Sequence, residues 1–322
     1  RHLGTGLGVW RNPCNAVRMM TGTVVRLHGH HAYVDVDGVE WTCAVRGRMK
    51  IGKRTERSPI VVGDRVSFEA VSGTEQREGQ IDSVADRVTE LYRSHPRHPR
   101  QRQVLAANVE LLVIVCAADM LADQLITADR LLISAFSQGL TPVLVINKSE
   151  LGGALDALRA TYEKVCDVHV VSALTGDLGA LPGLFAGKTA VFAGPSGVGK
   201  SSLLNAMQPG LNLRVGEVDN EGEGRHTTTH ASLLPFAGGF VVDTPGVRDF
   251  GFWNLELHEI ALYYPDFAPF REKCRFSTCT HRHEPGCGVK AAVEAGTLDA
   301  GRFERYGSIL RETWNEQERL GW

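Results

Sequence analysis

Gly194-Pro195-Ser196-Gly197-Val198-Gly199-Lys200-Ser201 decides the fold of this 322-residue chain. The stretch fits G-x-x-x-x-G-K-[ST] in full. An apolar run, Thr189-Ala190-Val191-Phe192-Ala193, precedes it, and a helix-like run, Ser202-Leu203-Leu204-Asn205-Ala206-Met207, follows. A strand–loop–helix setting is what a phosphate-binding loop requires. Its glycines let successive backbone N–H groups close around phosphate oxygens, and the positive end of the following helix adds to the attraction. Lys200 is expected to reach the β- and γ-phosphates and Ser201 to ligate Mg²⁺, with Ser202 closing the set of contacts.

Two further groups of residues extend the site. Val241-Val242-Asp243-Thr244-Pro245-Gly246 ends a β-rich run with a carboxylate. Asp243 is expected to hold Mg²⁺ through water, and the Gly246 N–H to sense the γ-phosphate. Between the two motifs, Glu221-Gly222-Glu223-Gly224-Arg225-His226-Thr227-Thr228-Thr229 reads as a mobile, Gly-rich loop. Thr228 is taken as the second hydroxyl ligand of Mg²⁺, although spacing alone does not separate adjacent threonines. On the other side, Val143-Leu144-Val145-Ile146-Asn147-Lys148 is a buried-strand run ending in Asn-Lys, where ligands gather at the carboxyl ends of a parallel sheet. Asn147-Lys148-Ser149-Glu150 matches the guanine-reading N-K-x-D loop except that Glu150 carries the carboxylate on an arm one methylene longer. Ser172-Ala173 ends the next strand, in the place of the loop that contacts the guanine O6. Ras-like GTPases begin with the phosphate loop and end with the base-reading loops; here the base-reading loops come first.

That order, with Arg225-His226-Thr227-Thr228-Thr229 and Asp243-Thr244-Pro245-Gly246-Val247-Arg248, resembles the ribosome small-subunit-dependent GTPase A family (RsgA, also called YjeQ or YloQ). The resemblance runs from residue 21 to 315. It implies a multidomain α/β protein with an N-terminal OB-fold β-barrel, a circularly permuted P-loop GTPase domain and a C-terminal α-helical zinc-binding domain. It also implies a part in late maturation of the small ribosomal subunit, with that subunit and its rRNA as partners and GTP and GDP as ligands. The expected divisions are an extension over 1–20, the barrel over 21–92, a basic linker over 93–103, the GTPase domain over 104–250 and the zinc domain over 251–322.

The flanking sequence agrees with this division. Short β segments (23–25, 32–36, 41–45 and 64–68) are separated by turns, with Asp37-Gly38 as a hairpin signal. A small barrel of this kind commonly binds nucleic acid. Arg46-Gly47-Arg48-Met49-Lys50-Ile51-Gly52-Lys53-Arg54 is its candidate phosphate-contacting loop, and Arg93–Arg102 is a second basic stretch. Residues 1–103 carry 17 Lys+Arg against 11 Asp+Glu, whereas residues 104–250 carry 9 against 15. The near-neutral whole thus hides a basic first part beside an acidic second one, which favours nucleic-acid contact through the former.

Cys274-x4-Cys279-x-His281-x5-Cys287 is the remaining cluster. Three thiolates and one imidazole make a closed tetrahedral Zn²⁺ site, structural rather than catalytic. An odd number of cysteines disfavours a disulfide framework. His283 competes with His281; the family pattern His-x-x-Glu-Pro-Gly-Cys at 281–287 implies His281. Helices are predicted over 289–295 and 299–319, the latter with an apolar stripe of Phe303, Tyr306, Ile309, Leu310 and Thr313. No apolar run reaches transmembrane length, and the expectation is a cytoplasmic monomer without a membrane partner. Residues 1–20, Arg-containing and free of acidic side chains, leave a chloroplast or mitochondrial transit remnant as the alternative.

The expected chemistry is hydrolysis of the β–γ bond of GTP. Val247 stands where Ras-like enzymes place the water-orienting Gln, so slow turnover and stimulation by a partner are expected. His226 is a candidate for positioning the water. A P-loop small-molecule kinase would share Gly194–Ser201 but has no use for Asn147-Lys148 or the basic barrel. An RNA-binding switch not tied to the ribosome is the other alternative.

Overall fold

The computed structural model describes residues 18–45, 60–71, 77–95, 98–120, 124–153, 155–211, 213, 231–243 and 255–320. Contacts divide the chain into two compact units: Arg1–Ile60 with Asp64–Asp86, and Val61–Gly63 with Arg87–Trp322.

The first unit is a closed five-stranded barrel. Its strands β1 (Arg18–His28), β2 (His31–Val36), β3 (Val39–Val45), β4 (Arg65–Ala70) and β5 (Glu78–Val84) close in the order β1-β2-β3-β5-β4. Only β3 and β5 pair in parallel. This is the expected OB-fold. Alternate residues point inward, as a two-residue period demands, so Val24, Ala32, Val34, Cys43, Val66, Phe68 and Ile81 fill the interior. Asp37 and Gly38 both take positive φ, 51° and 82°. That is the backbone of the tight primed turns whose twist suits a hairpin, here joining β2 to β3. The basic run Arg46–Arg54 lies outside the described residues.

The second unit opens with a hairpin of β6 (Glu90–His95) and β7 (His98–Ala107). Within the stretch expected to be a basic linker, residues 93–95 and 98–103 are therefore strand residues of this hairpin. Its Arg102 guanidinium lies 5.4 Å from the centre of the Tyr92 ring on the facing strand and makes an ion pair of 2.9 Å with Glu90.

A six-stranded sheet follows, built from β8 (Leu111–Ala117), β9 (Thr141–Asn147), β10 (Asp167–Val170), β11 (Thr189–Ala193), β12 (Ser232–Phe236) and β13 (Gly239–Asp243). The spatial order is β10-β9-β8-β11-β13-β12. Every pair is parallel except β12 with β13. β8 is buried along its whole length, as a strand covered on both faces must be. The chain starts in the middle of the sheet at β8, moves outward through β9 to β10, then returns across two strands to β11. Helices α1 (Leu125–Ser137), α2 (Leu155–Tyr162) and α3 (Lys200–Met207) connect or follow these strands. The return segment contains a single 3₁₀ turn, Leu181–Phe185. Phe185 is fully buried, its ring 5.5 Å from that of Phe192 and 5.4 Å from that of Phe236. Those aromatic contacts hold the returning chain against the sheet.

The C-terminal part consists of 3₁₀ turns at Ile260–Tyr263 and Pro265–Phe267, then α4 (Ala268–Arg271), α5 (Gly288–Glu294) and α6 (Ala300–Leu320). The expected helices over 289–295 and 299–319 are α5 and α6. The predicted stripe is the inward face of α6: Tyr306, Ile309, Leu310 and Thr313 are buried, and Phe303 packs against the same core. Ile133 of α1 joins that core with Ile260, Tyr264 and Phe267. The C-terminal helices thus dock on the back of α1.

Candidate functional site

The phosphate loop occupies the turn from β11 into α3. Two of its glycines are dictated by close approach. A Cβ at Gly194 would stand 2.2 Å from the Val115 carbonyl oxygen, and one at Gly199 would stand 2.5 Å from Asn147 Nδ2. Gly199 also has φ of +92°, a region L side chains rarely enter. Lys200 Nζ donates to the carbonyls of Gly194 (3.0 Å) and Pro195 (2.9 Å), so its ammonium folds over the loop. Ser201 is buried in the first turn of α3. Val198 and Leu203 anchor the loop and helix in the core under the sheet.

Asn147 ends β9 and is 2% exposed. Its Nδ2 donates to the Val198 carbonyl at 2.9 Å, and its Oδ1 accepts from the Ala173 N–H at 3.0 Å. One amide therefore joins the Gly194–Ser201 loop, the end of β9 and the Ser172-Ala173 loop. Such a buried amide must find both donor and acceptor partners or pay the desolvation cost. Lys148 takes a left-handed backbone (φ 63°), which turns the chain sharply into the 3₁₀ turn Ser149–Leu151. The Ser149 N–H then bonds the Val171 carbonyl at 3.1 Å, tying this turn to the end of β10. Glu150 is exposed on that turn. Ser172 is buried; its Oγ accepts from the Thr175 N–H at 3.1 Å and its own N–H bonds the Asp177 carbonyl at 2.8 Å. All these residues lie at the carboxyl ends of parallel strands, where α/β sheets bind their ligands.

Asp243 closes β13, the strand next to β11. Its side chain reaches solvent, yet surrounding walls raise its carboxyl above the ordinary range by desolvation. Thr227, Thr228, Thr229, His226, Gly246, Val247 and Arg248 lie outside the described residues. The Gly194–Ser201 loop, the Asn147 and Ser172-Ala173 turns and Asp243 thus lie at the carboxyl ends of strands of one sheet, despite their order in the chain.

The second cluster is Cys274, Cys279, His281 and Cys287, whose ligand atoms all lie within 4.8 Å of one another. Cys274 Sγ is 3.5 Å from His281 Nδ1 and 3.9 Å from Cys287 Sγ, and His281 Nδ1 is 3.3 Å from Cys287 Sγ. Ligands about 2.0–2.3 Å from a tetrahedral Zn²⁺ would sit roughly 3.3–3.8 Å apart, and the three distances among Cys274, His281 and Cys287 stand close to such edges. Burial lowers the His281 imidazole to about 4, which keeps a nitrogen lone pair available at neutral pH. The same burial, with Cys287 beside it, pushes the Cys279 thiol up to about 12. Three thiols and one imidazole gathered within 4.8 Å of one another suit a divalent ion, whose charge offsets thiol ionisation. These residues could hold a metal ion. His283, the competing ligand in the sequence, is exposed and outside the cluster.

A third constellation was not anticipated from the sequence. Arg302 of α6, 1% exposed, makes a bidentate pair with Asp266 (2.7 and 3.1 Å) and donates to Asp129 of α1 at 2.7 Å. Asp129 also accepts from Arg305 Nε (2.7 Å) and the Tyr162 hydroxyl (2.8 Å). The Tyr264 ring lies 4.7 Å from the Arg302 guanidinium. Two carboxylates and two guanidiniums balance, which is how charges survive burial. The signal was present: Arg302 is four, seven and eleven residues before Tyr306, Ile309 and Thr313, inside the apolar stripe rather than opposite it.

A family model described as RsgA GTPase matches residues 84–253. The chain is 40% identical over 298 residues to the small ribosomal subunit biogenesis GTPase RsgA of Moorella thermoacetica, covering 91% of this chain and 97% of that protein. It is 39% identical over 302 residues to the protein of the same name from Bordetella pertussis, covering 90% and 95%. Among solved structures it is similar to YjeQ from Thermotoga maritima, with a TM-score of 0.75 and 33% identity over 92% of this chain and 99% of that one. It is also similar to YloQ, described as a circularly permuted GTPase, with a TM-score of 0.72 and 29% identity over 93% and 96%.

Proposed function

This chain belongs to the RsgA GTPase family, and on that premise we propose that it hydrolyses GTP to GDP and phosphate as an assembly factor in late maturation of the small ribosomal subunit. The observation that carries the reading is the Asn147 amide, which holds base-reading and phosphate-binding loops in one register. A generic phosphate site has no need of that link.

In this reading Asn147, Lys148, Ser149 and Glu150, with Ser172 and Ala173, bind guanine, and Gly194–Ser202 wraps the phosphates. The Lys200 ammonium leaves its loop carbonyls for the β- and γ-phosphate oxygens, where charge builds in the transition state. Ser201, Thr228 and Asp243 hold the Mg²⁺ that arrives with GTP, and the Gly246 N–H senses the γ-phosphate. Held there, Mg²⁺ would supply charge neutralisation on the β- and γ-phosphates. Val247 offers no group to orient water, and His226 on the preceding loop takes that part. Turnover is accordingly slow until the ribosomal subunit completes the site.

The metal of the Cys274–Cys279–His281–Cys287 cluster is a structural Zn²⁺, supported by the thiolate-rich donor set. The barrel and the basic stretch Arg93–Arg102 contact rRNA, supported by the excess of Lys and Arg in residues 1–103. The protein acts as a cytoplasmic monomer; among the described residues no helix is long and apolar enough to cross a membrane.

The test measures phosphate release with and without purified small ribosomal subunits, with GDP and ADP binding alongside. Subunit-stimulated release with no acceptor substrate, together with preference for GDP, is expected. Turnover that needs a small-molecule acceptor would replace this reading with a kinase. Hydrolysis indifferent to the subunit would leave an RNA-binding switch outside the ribosome.

A further inference from the structure

Glu284 stands between two metal-cluster residues in sequence, His281 and Cys287, yet it belongs to neither the ligand set nor the nucleotide site. Both of its carboxylate oxygens are fully engaged. Oε1 accepts from the Thr280 N–H at 2.8 Å and the Thr280 hydroxyl at 2.6 Å. Oε2 accepts from the Arg282 N–H at 3.0 Å and the His283 N–H at 3.2 Å. Three backbone donors flanking His281 thus converge on one side chain. His281 itself takes φ of +59°, a left-handed conformation that costs a non-glycine residue energy unless its surroundings impose it. The turn is held from outside as well: the Tyr306 hydroxyl donates to the Thr280 carbonyl at 2.8 Å, and Arg282 Nη1 donates to the Gly307 carbonyl at 2.7 Å.

The geometry points to Glu284 as the positioning residue of the metal centre: its carboxylate fixes the 280–283 turn so that His281 Nδ1 faces the three thiols. This inference rests on the cluster being a metal site. A carboxylate is the group the turn requires, because four converging donors need an acceptor-only partner. An amide in its place keeps one acceptor oxygen and turns an NH₂ towards donors. The residue acts through His281 rather than on the metal, since its oxygens are already spent on N–H and O–H groups.

The experiment uses the full-length protein loaded with Zn²⁺ or Co²⁺, as wild type, Glu284→Gln, Glu284→Ala and Glu284→Asp. Metal release to a chromogenic chelator and the Co²⁺ ligand-field spectrum are read, with GDP binding as the check that each variant is folded. Outer-shell partners of metal ligands typically contribute about 10- to 100-fold in affinity. Glu284→Gln and Glu284→Ala should therefore lose metal at least tenfold more readily. Glu284→Asp, which keeps the charge on a shorter arm, should recover part of that loss. The Co²⁺ spectrum of any loaded variant should stay that of a tetrahedral three-sulfur, one-nitrogen site. Affinities within twofold of wild type in both Gln and Ala variants would overturn the inference, and so would a wild-type spectrum requiring an oxygen ligand. A wild-type protein that binds neither metal would instead remove the metal reading beneath it.

Discussion

Replacing Arg302 by Met should detach α6 from α1. The guanidinium makes two bonds to Asp266 and one to Asp129, with its side chain 2% exposed and those of its partners 8% and 0%. Three charge-assisted hydrogen bonds at about 1.5–3 kcal/mol each would suggest a loss of about 5–9 kcal/mol. That sum overshoots, because the methionine is spared the cost of burying a guanidinium, and Asp129 keeps Arg305 and Tyr162. Breaking a buried pair by removing one partner typically costs about 3–5 kcal/mol, most of it from the carboxylate left behind. The expected loss lies in that range. Amide hydrogen exchange resolves it locally: protection in Leu125–Ser137 and Ala300–Leu320 should fall roughly 100- to 4,000-fold, at about 1.4 kcal/mol per decade. Adding Asp266→Leu should restore part of the protection, because it removes the orphaned charge. Arg302→Lys should fall between, since an ammonium cannot reproduce the fork. A change below tenfold in both helices for Arg302→Met would mean that water already solvates the network, and the reasoning would fail.

Three further outcomes follow from the same structure. Asn147→Ala strands the Val198 carbonyl and the Ala173 N–H, at about 1–3 kcal/mol for an unsatisfied group; GDP affinity should fall about 10- to 100-fold, and a change under threefold in a titration would contradict the bridging role. Cys43 and Cys116 are buried, with thiols pushed by burial up to about 12; at pH 8 they should resist iodoacetamide in native protein and react only after unfolding, as mass spectrometry of the peptides would reveal. The Glu284 carboxyl is held down to about 2, against burial, by its hydrogen bonds with Thr280 and Arg282. Because its folded value is depressed, its contribution is complete above about 4.5 and lost as pH falls through about 2; NMR of metal-free protein should find the Thr280 and Arg282 amides protected at pH 4 and open near pH 2.

What could be read from the sequence was what rests on local rules. Gly194–Ser201 announces a strand–loop–helix because glycine spacing and flanking apolar runs are local. Asp37-Gly38 specifies its turn by φ preference, and the stripe on α6 follows from helical period. Residues 93–103 were obscured by their charge: a basic run reads as a solvated linker, whereas the pairing of Tyr92 with Val104 and Ser94 with Arg102 makes a hairpin. Asp129 was hidden because an Asp on a helix ordinarily marks the wet face, and its partners lie 173 and 176 residues away. Glu284 was visible as part of a motif, but its four donors are mostly backbone groups, which carry no sequence signal. The 214–230 and 244–254 segments, with Thr228, His226 and Gly246, lie outside the described residues.

The return of the chain from β10 to β11 divides the nucleotide chemistry between two consecutive segments. Residues expected to read the base end at Ala173, and those expected to handle phosphate and Mg²⁺ begin at Gly194. The pairing of β8 with β11 and the bond from Asn147 to Val198 join them across a seam, and in the proposed reading a nucleotide would span that seam with its base on one side and its phosphates on the other. Its binding energy therefore adds to the cohesion of the sheet by linkage, in proportion to ligand concentration over Kd on a logarithmic scale. A chain severed between Gly176 and Gly179 should leave two pieces that adhere more tightly when the nucleotide is present. The ligand would then act as a fastener between halves that neither could replace alone.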